Sequence, residues 1–314
     1  MPPWLRRFNI YGDFWRRYLA LGVRYCPWFL EPVIIPAFTA FFYLLCAGQR
    51  RAVQGNLRAL FPQDNLWSIH RRAYAVFLNF AWVLTDSAHQ RSGDDVIDWE
   101  VAGQERLSQL GQLPGAAMIF TAHMGSYDLA APLFVEKLQR RLHTVRAPER
   151  MAETQEFATQ DQPAGNRIDD QFVVHYNTPG SMLAVELTKV LQAGEVLAVQ
   201  GDRVMFDVSP MPVPFSQDYD WRLPKGPCVL AAVARCPIYP IFVMRVGWRR
   251  YRIEARPEFR WEDASPNRRD AQRDVEVWWS RCLRDVIETH WDQWFVFEPA
   301  FEKRALRDGG PPAK

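Results

Sequence analysis

The stretch Ala117-Met-Ile-Phe-Thr-Ala-His123-Met-Gly-Ser-Tyr-Asp128 reads as a strand, a turn and the start of a helix. The apolar run that precedes His123 is typical of a buried strand, and helical spacing follows Gly125. This pattern puts His123 on the turn and Asp128 in the first helical turn, from where a carboxylate can fold back toward the imidazole. A neutral histidine held by a carboxylate can take a proton from a hydroxyl. The pair therefore indicates a general-base site, with a purely structural His–Asp contact as the alternative.

Outward from this stretch, short apolar runs alternate with segments of helical spacing, which predicts an α/β fold. We expect a central, mostly parallel or mixed sheet flanked by helices. The predicted strands are 116–121, 142–146, 172–176, 196–200, 238–246 and 251–255. The predicted helices are 129–140, 181–193, 226–235 and 271–291, with further helices in residues 1–60 and 65–90.

The chain divides by composition into three regions. Residues 1–62 are basic, aromatic and apolar, and we interpret them as an N-terminal helical segment that associates with a membrane. Residues 63–303 carry the alternating pattern and form the predicted α/β domain. Residues 304–314 end in Gly-Gly-Pro-Pro-Ala-Lys and are predicted to be a flexible tail.

A second polar site follows another predicted strand. Val196-Leu-Ala-Val-Gln-Gly201 is followed directly by Asp202 and Arg203. Ligands of such sheets collect at the carboxyl ends of the strands, so both residues are expected near His123. The guanidinium of Arg203 can hold a phosphate through two hydrogen bonds, and Gly201 permits close approach of the backbone to a ligand. A surface ion pair between Asp202 and Arg203 is the alternative.

Lys225 stands at the start of the predicted helix that Gly226 and Pro227 open. A helix N-terminus beside a lysine can bind an anion. An ordinary helix start explains the same residues.

The N-terminal region has the composition of a membrane-surface segment. Arginines alternate there with aromatic residues, as in an amphipathic segment on an anionic surface; they are Arg6, Arg7, Arg16, Arg17 and Arg24, with Trp4, Phe8, Tyr11, Phe14, Trp15 and Tyr18. The uncharged run from Pro32 to Gly48 is near the short limit for a bilayer span, and Pro36 interrupts it. We favour a monotopic anchor, with a single span as the alternative.

Several functional classes lack their signatures. A net charge of +2 and the absence of a known module argue against nucleic-acid binding. The five scattered cysteines suggest neither a disulfide framework nor a zinc site. The chain has no Gly-x-Ser-x-Gly elbow, Walker loop or dinucleotide fingerprint. A metal site built from His123, Asp128 and Asp202 is a minor alternative, and we expect no metal and no other bound cofactor.

An ordered set of sequence blocks matches a known family. The blocks are His123 to Asp128, Arg51 to Leu57 with Phe61-Pro62, Gly194-Glu195 leading to Gly201-Asp202-Arg203, Val213 to Phe215, Lys225 to Ile238 with Pro240 and Arg245, and Gln293 to Phe295. On these residues the chain resembles the bacterial lipid A biosynthesis (lauroyl and myristoyl) acyltransferases of the lysophospholipid acyltransferase superfamily. Asp128 stands where the lipid A enzymes usually carry Glu.

The resemblance implies transfer of a fatty acyl chain from a thioester carrier to a hydroxyl of a lipid or glycolipid. His123 would be the general base, and Asp128 would fix its tautomer and stabilise the imidazolium. The backbone near Gly125 or the Arg203 guanidinium would stabilise the oxyanion, and Arg203 or Lys225 would hold phosphate. Asp202 would order Arg203 or assist His123.

The resemblance also implies the partners and the location. The donor would be acyl carrier protein or coenzyme A, and the body would face the cytoplasm at the bacterial inner membrane. Two alternatives remain open: a non-catalytic lipid-binding or assembly protein that retains the fold, and a metal-assisted lipid hydrolase.

Overall fold

Helices and strands alternate along the chain as the sequence predicts. The computed structural model describes residues 13–93, 96–146, 171–178, 180–204 and 208–304. Its helices are α1 (Asp13–Tyr25), α2 (Glu31–Leu45), α3 (Ala47–Leu60), α4 (Leu66–Arg91), α5 (Gln104–Gln112), α6 (Tyr127–Leu138), α7 (Leu183–Gln192), α8 (Lys225–Ala234) and α9 (Arg268–Thr289). Short 3₁₀ turns are Trp28–Leu30, Trp261–Asp263 and Trp291–Gln293. Its strands are β1 (Asp98–Ala102), β2 (Ala117–Thr121), β3 (Leu142–Arg146), β4 (Phe172–Tyr176), β5 (Val196–Gln200), β6 (Pro210–Pro214), β7 (Tyr219–Pro224), β8 (Ile238–Gly247), β9 (Arg250–Ala255) and β10 (Phe301–Lys303).

The main sheet is mixed, which confirms the predicted fold class. Its described strands lie in the order β1-β9-β8-β2-β5-β3-β4. All neighbouring pairs are parallel except the β8–β9 hairpin, which is antiparallel. Because β2, β5 and β8 are parallel, the residues that follow them emerge at the same edge of the sheet.

Alternating side chains of the central strands build a core on each face of the sheet. In β2, Ile119 packs with Ile69 of α4, while Phe120 contacts the Trp279 ring of α9 at a centroid distance of 5.2 Å. Both faces are covered by helices, so the strand is apolar at nearly every position rather than alternating. This explains why the continuous apolar run before His123 predicts a strand so well.

A second, antiparallel sheet has the order β10-β7-β6. The proline-rich segment Pro210–Pro214 forms its edge strand β6. Proline lacks an N–H donor and is therefore tolerated at a sheet edge. The ring of Trp221 in β7 lies 5.9 Å from that of Trp294, which joins this sheet to the site described below.

The N-terminal helices pack against α4. The buried side chains of Ile35 and Thr39 form one stripe of α2, and Tyr74 of α4 donates to the Pro36 carbonyl at 3.0 Å. By length and composition, Trp28–Leu45 is apolar enough to cross a membrane. The predicted region 1–62 contains α1 to α3, and its residues 1–12 lie outside the described residues. The predicted tail 304–314 also lies outside them, except for residue 304.

Gly201 provides a test of packing between the sheet and α9. A Cβ atom added at this position would lie 2.5 Å from the Trp279 Nε1 atom, and that indole donates to the Gly201 carbonyl at 2.8 Å. We expect Gly201→Ala to lower the free energy of unfolding by about 1–3 kcal/mol because the ring is fully buried. In Gly55→Ala, the matched control, the new methyl group lies at an exposed position of α3 and meets nothing within 4 Å. Chemical denaturation followed by circular dichroism measures both, and equal stabilities would contradict the packing argument.

The free energy of unfolding is expected to depend on pH through His143 of β3, near the edge of the main sheet. Its Nδ1 atom lies 2.9 Å from Nε2 of His175 in β4, and burial, with the nearby His175 and Arg141, lowers the His143 pKa from 6.5 to about 4. The folded state favours neutral His143, so its stabilisation is complete above about pH 6.5 and is lost as the pH falls toward 4. In denaturation titrations, His143→Phe should therefore lose less stability than wild type over this interval. Identical slopes would show that His143 does not contribute.

Candidate active site

The pairing of β2 with β5 brings His123 and Asp202 together. Thr121 pairs with Gln200 at the ends of the two parallel strands, and the Gly201 N–H donates to the Thr121 carbonyl at 3.0 Å. Both strands end at the same edge of the sheet, where β2 leads into His123 and β5 leads into Asp202. The sequence prediction that both lie at this rim agrees with the structure.

Asp202 is fully buried and accepts hydrogen bonds through both carboxylate oxygens. Its Oδ1 atom lies 2.7 Å from Nδ1 of His123, and its Oδ2 atom accepts from the His123 backbone N–H at 3.0 Å. The indole Nε1 of Trp294 donates to the same Oδ2 atom at 2.9 Å. A buried carboxylate requires such donors, because burying a charge without partners costs several kcal/mol. Asp202 therefore fixes both the ring and the backbone of His123.

The same contacts determine the charge of Asp202. Burial by itself raises the pKa of this carboxyl group, but the neighbouring His123 and the hydrogen bonds from His123 and Trp294 outweigh it and leave the pKa below its usual range. Asp202 is consequently ionised at neutral pH. An ionised partner at Nδ1 favours the tautomer in which Nδ1 carries the proton, so Nε2 is the basic nitrogen of the neutral ring.

Hydrogen bonds to the residues that follow Trp294 hold it in place, and several of them come from α3 in the N-terminal region. The Phe295 N–H donates to the His123 carbonyl at 2.8 Å. Asn56 of α3 donates to the carbonyls of Val296 and Glu298 at 3.2 and 2.9 Å and accepts from the Ala300 N–H at 2.9 Å. Sequence reasoning missed this donor role of Trp294, and the signal available was the Gln293-Trp294-Phe295 block.

Two glycines at the site serve close packing. Gly125 has φ +50°, and a Cβ atom there would lie 2.1 Å from the Val243 carbonyl oxygen of β8, so no other residue fits. Gly201 lies against the Trp279 ring. The missing side chain at Gly201 accommodates a core tryptophan, and the predicted close approach of a ligand there stays a prediction.

The remaining predicted site residues are placed as follows. Asp128 is the second residue of α6, in the first helical turn as predicted, and its side chain lies outside the described part of the structure. Arg203 lines the same cleft as His123, with its Nε atom 4.0 Å from Glu298. Lys225 is the first residue of α8, is exposed, and also lines that cleft. The roles predicted for Asp128, Gly125, Arg203 and Lys225 stay predictions.

A cleft of about 2760 Å³ is lined by His123 and by many apolar side chains. Phe38 of α2 lines one part of it, and Leu187 of α7 and Leu230 of α8 line another. Its volume exceeds the roughly 300–1,000 Å³ typical of a small-molecule site. Long apolar groups thus have room beside a polar, titratable centre.

The described residues contain no group of three or more His, Cys, Asp or Glu side chains arranged to hold a metal ion. In the alternative built from His123, Asp128 and Asp202, the first and third are already bonded to each other, and the carboxylate of Asp128 is not among the described side chains. The site visible in the structure is a histidine–carboxylate pair.

A buried carboxylate, a histidine with a basic Nε2 atom and a large apolar cleft define the class: an α/β protein equipped for proton abstraction beside an apolar ligand. The model of one family, bacterial lipid A biosynthesis acyltransferase, matches residues 4–303, and the chain belongs to this family. The protein is accordingly an acyltransferase that acts on lipid substrates. The family is typically membrane-associated, and α2 with the preceding turn is an apolar helix suited to that setting.

Among solved structures, the chain is similar to the crystal structure of the 1-acyl-sn-glycerophosphate (LPA) acyltransferase PlsC from Thermotoga maritima. The identity is 11%, the TM-score is 0.37, and the match covers 86% of this chain and 95% of that one. No curated protein matches the chain in sequence.

The tautomer of His123 provides a test of the site that needs no substrate. In Asp202→Asn, the neutral amide can still accept from Trp294 but no longer favours a proton on Nδ1. We expect the proton of the neutral ring to move to Nε2, as measured by ¹⁵N NMR of the histidine side chains. Asp86→Asn is the matched control, because Asp86 is also fully buried but contacts Tyr251. An unchanged His123 tautomer in Asp202→Asn would contradict the assignment.

Proposed function

We propose that this protein transfers a fatty acyl chain from an acyl thioester to a hydroxyl of a lipid or glycolipid acceptor, with His123 as the general base. The observation that carries the proposal is the buried Asp202–His123 hydrogen bond of 2.7 Å, with His123 lining a large, mostly apolar cleft. A histidine held in this way is suited to deprotonate a weakly acidic hydroxyl.

The proposed reaction requires no nucleophile from the protein. Nε2 of His123 takes the proton of the acceptor hydroxyl while the acceptor oxygen attacks the thioester carbonyl. A C–O bond forms, the carbonyl oxygen becomes an oxyanion, and collapse of this intermediate breaks the C–S bond. The proton on His123 then passes to the departing thiolate. Asp202 stabilises the imidazolium at Nδ1, and the Asp128 carboxylate in the first turn of α6 assists the same ring.

The oxyanion and the phosphates of the substrates are assigned to the positive groups of the cleft. The Arg203 guanidinium or the backbone near Gly125 stabilises the oxyanion. Arg203 and Lys225 hold phosphate groups of the donor or acceptor. The donor is acyl carrier protein or coenzyme A, since both present the acyl group as a thioester, and the reaction needs no metal or other cofactor.

We propose that the protein is monotopic, at the cytoplasmic face of the bacterial inner membrane. The buried stripe of α2 packs along α4, whose Ile69 and Phe77 belong to the core beneath the main sheet. This packing of α2 on the body supports a monotopic arrangement over a single span. Its opposite face exposes Val33, Phe41 and Leu44, which suits an orientation in the plane of the membrane.

Whole-lipid mass spectrometry tests the acyl transfer. In cells that express the wild type we expect a lipid heavier by one fatty acyl unit, and in His123→Ala cells its amount should fall at least about a thousandfold. His70→Ala is the matched control, since this histidine is exposed and contacts Tyr43 of α2, and its lipid profile should equal that of the wild type.

Two results would contradict the proposal. Production of the heavier lipid by a folded, membrane-bound His123→Ala protein would show that His123 is not the general base. Loss of one acyl chain from a host lipid, suppressed by a chelator, would instead indicate a metal-assisted hydrolase.

A further inference from the structure

The β8–β9 hairpin extends beyond the edge of the sheet where His123 lies. Phe120 of β2 pairs with Pro240 of β8, and β2 ends one residue later, whereas β8 continues to Gly247. At about 3.3 Å per residue, β8 therefore runs on by roughly 20 Å. Because the two strands are parallel, this extension is on the same side as the catalytic histidine.

The tip of this hairpin carries exposed apolar groups where a turn is normally polar. Trp248 is 44% exposed and Val246 is 36% exposed, and the register of β8 with β9 shifts between Arg245 and Gly247. Arg249, the next turn residue, has φ +54°. A tryptophan at such a tip adds nothing to the core, so its exposure calls for a partner outside the described fold.

The tip is continuous with the N-terminal membrane segment. The rings of Trp248 and Trp28 lie 5.6 Å apart, and Trp28 and Phe29 are each 60% exposed. We call Trp28, Phe29 and Trp248 the aromatic corner. The corner lies at the start of α2, next to Val33 on the exposed apolar face of that helix.

A buried ionic contact fixes the corner to the body. Arg249 donates through Nη2 to Oε1 of Glu31 at 2.9 Å, and Nε2 of His89 lies 2.8 Å from the same oxygen. Glu31 is almost fully buried although it is the first residue of α2. Removing one partner of a buried charged pair is strongly destabilising, so the hairpin tip and the start of α2 are held as one surface.

We propose that the aromatic corner is a lipid contact, with Trp248 entering the interfacial layer of the same leaflet on which α1 and α2 lie. This inference rests on the membrane association proposed above and extends it to a part of the α/β domain. Tryptophan and phenylalanine favour the interface, where one side is apolar and the other wet. Two exposed arginines close in sequence to the corner, Arg24 and Arg250, complement anionic headgroups.

This contact gives the site an orientation. A membrane contact along α2 alone would leave the whole body able to roll about the axis of that helix. A second contact at the β8–β9 tip turns the carboxyl edge of β2 and β5 toward the bilayer. The part of the cleft that His123 lines then faces the surface from which an acyl acceptor with lipid chains arrives.

Quenching by brominated phospholipids in the membrane tests the insertion of Trp248 directly. With full-length protein on vesicles of phosphatidylethanolamine and phosphatidylglycerol, Trp248→Phe should remove a quenchable part of the tryptophan emission. The matched control is Trp278→Phe, because Trp278 packs on α9 against Phe259, away from the corner, and should leave the quenchable part unchanged. Equal effects of the two substitutions would overturn the inference.

Vesicle sedimentation measures the contribution to binding. We expect Trp248→Ala to weaken partitioning about tenfold and Trp248→Phe to retain most of it, since the aromatic ring supplies the apolar area. If Trp248→Ala melts at a lower temperature than wild type, its weaker binding could reflect unfolding. The lipid contact is then tested by the quenching of Trp248→Phe, because that variant keeps an aromatic ring in the corner.

The outcomes separate the two proposals. Failure of the wild type to bind vesicles would overturn the membrane association and this inference with it. Wild-type binding with no change in Trp248→Ala would overturn the inference alone. Loss of a dimer in sedimentation velocity of Trp248→Ala, with unchanged vesicle binding, would assign the corner to a second copy of the chain. If the quenching is as expected but no acyl transfer is detected, the lipid contact of the corner is supported and only the proposed acyl transfer is contradicted.

Discussion

The buried carboxylate of Asp202 is the constraint on which the rest of the site depends. It lies in the interior with no exposure, so its charge is tolerated only while its N–H donors stay in place. Two of those donors belong to His123 and the third to Trp294. The requirement to satisfy one charge therefore ties together the ends of β2 and β5 and a segment near residue 294. Electrostatics, rather than loop packing alone, fixes the position of the base.

This requirement reaches into the N-terminal region. Trp294 keeps its place because Asn56 bonds the segment that follows it, and Asn56 lies on α3. Residues that look like a separate membrane-associating part in the sequence are thus built into the support of the site. The division between a basic, aromatic segment and an α/β domain describes composition well. In the structure, contacts across that division help to hold the histidine.

The sequence predicted the sheet where burial dictated the pattern. β3, β4 and β5 lie at the predicted residues, and β2 and β8 differ by one residue at an end. The strand β1, with Asp98-Trp-Glu-Val-Ala102, escaped prediction because an edge strand covered on one side carries charged residues and no apolar run. The contact between His123 and Asp202 spans 79 residues and was expected only as proximity at a common rim. No local pattern reveals a single indole donor such as Trp294, because a tryptophan in a core and one at a buried charge look alike in a sequence.

Two charged clusters of this fold lie at different distances from His123: one contacts its ring, and the other lies at the far end of β8. At the base, Asp202 controls which nitrogen of one ring is protonated, an effect confined to one hydrogen bond. At the start of α2, Glu31 with His89 and Arg249 holds the hairpin tip to the membrane segment, and β8 connects this tip to the backbone that Gly125 packs against. Strand β8 thus links the proposed lipid-contacting surface to the turn that carries His123. The proposed acyl transfer at a membrane needs both, because a correctly protonated histidine is useful only when its cleft faces the lipid acceptor.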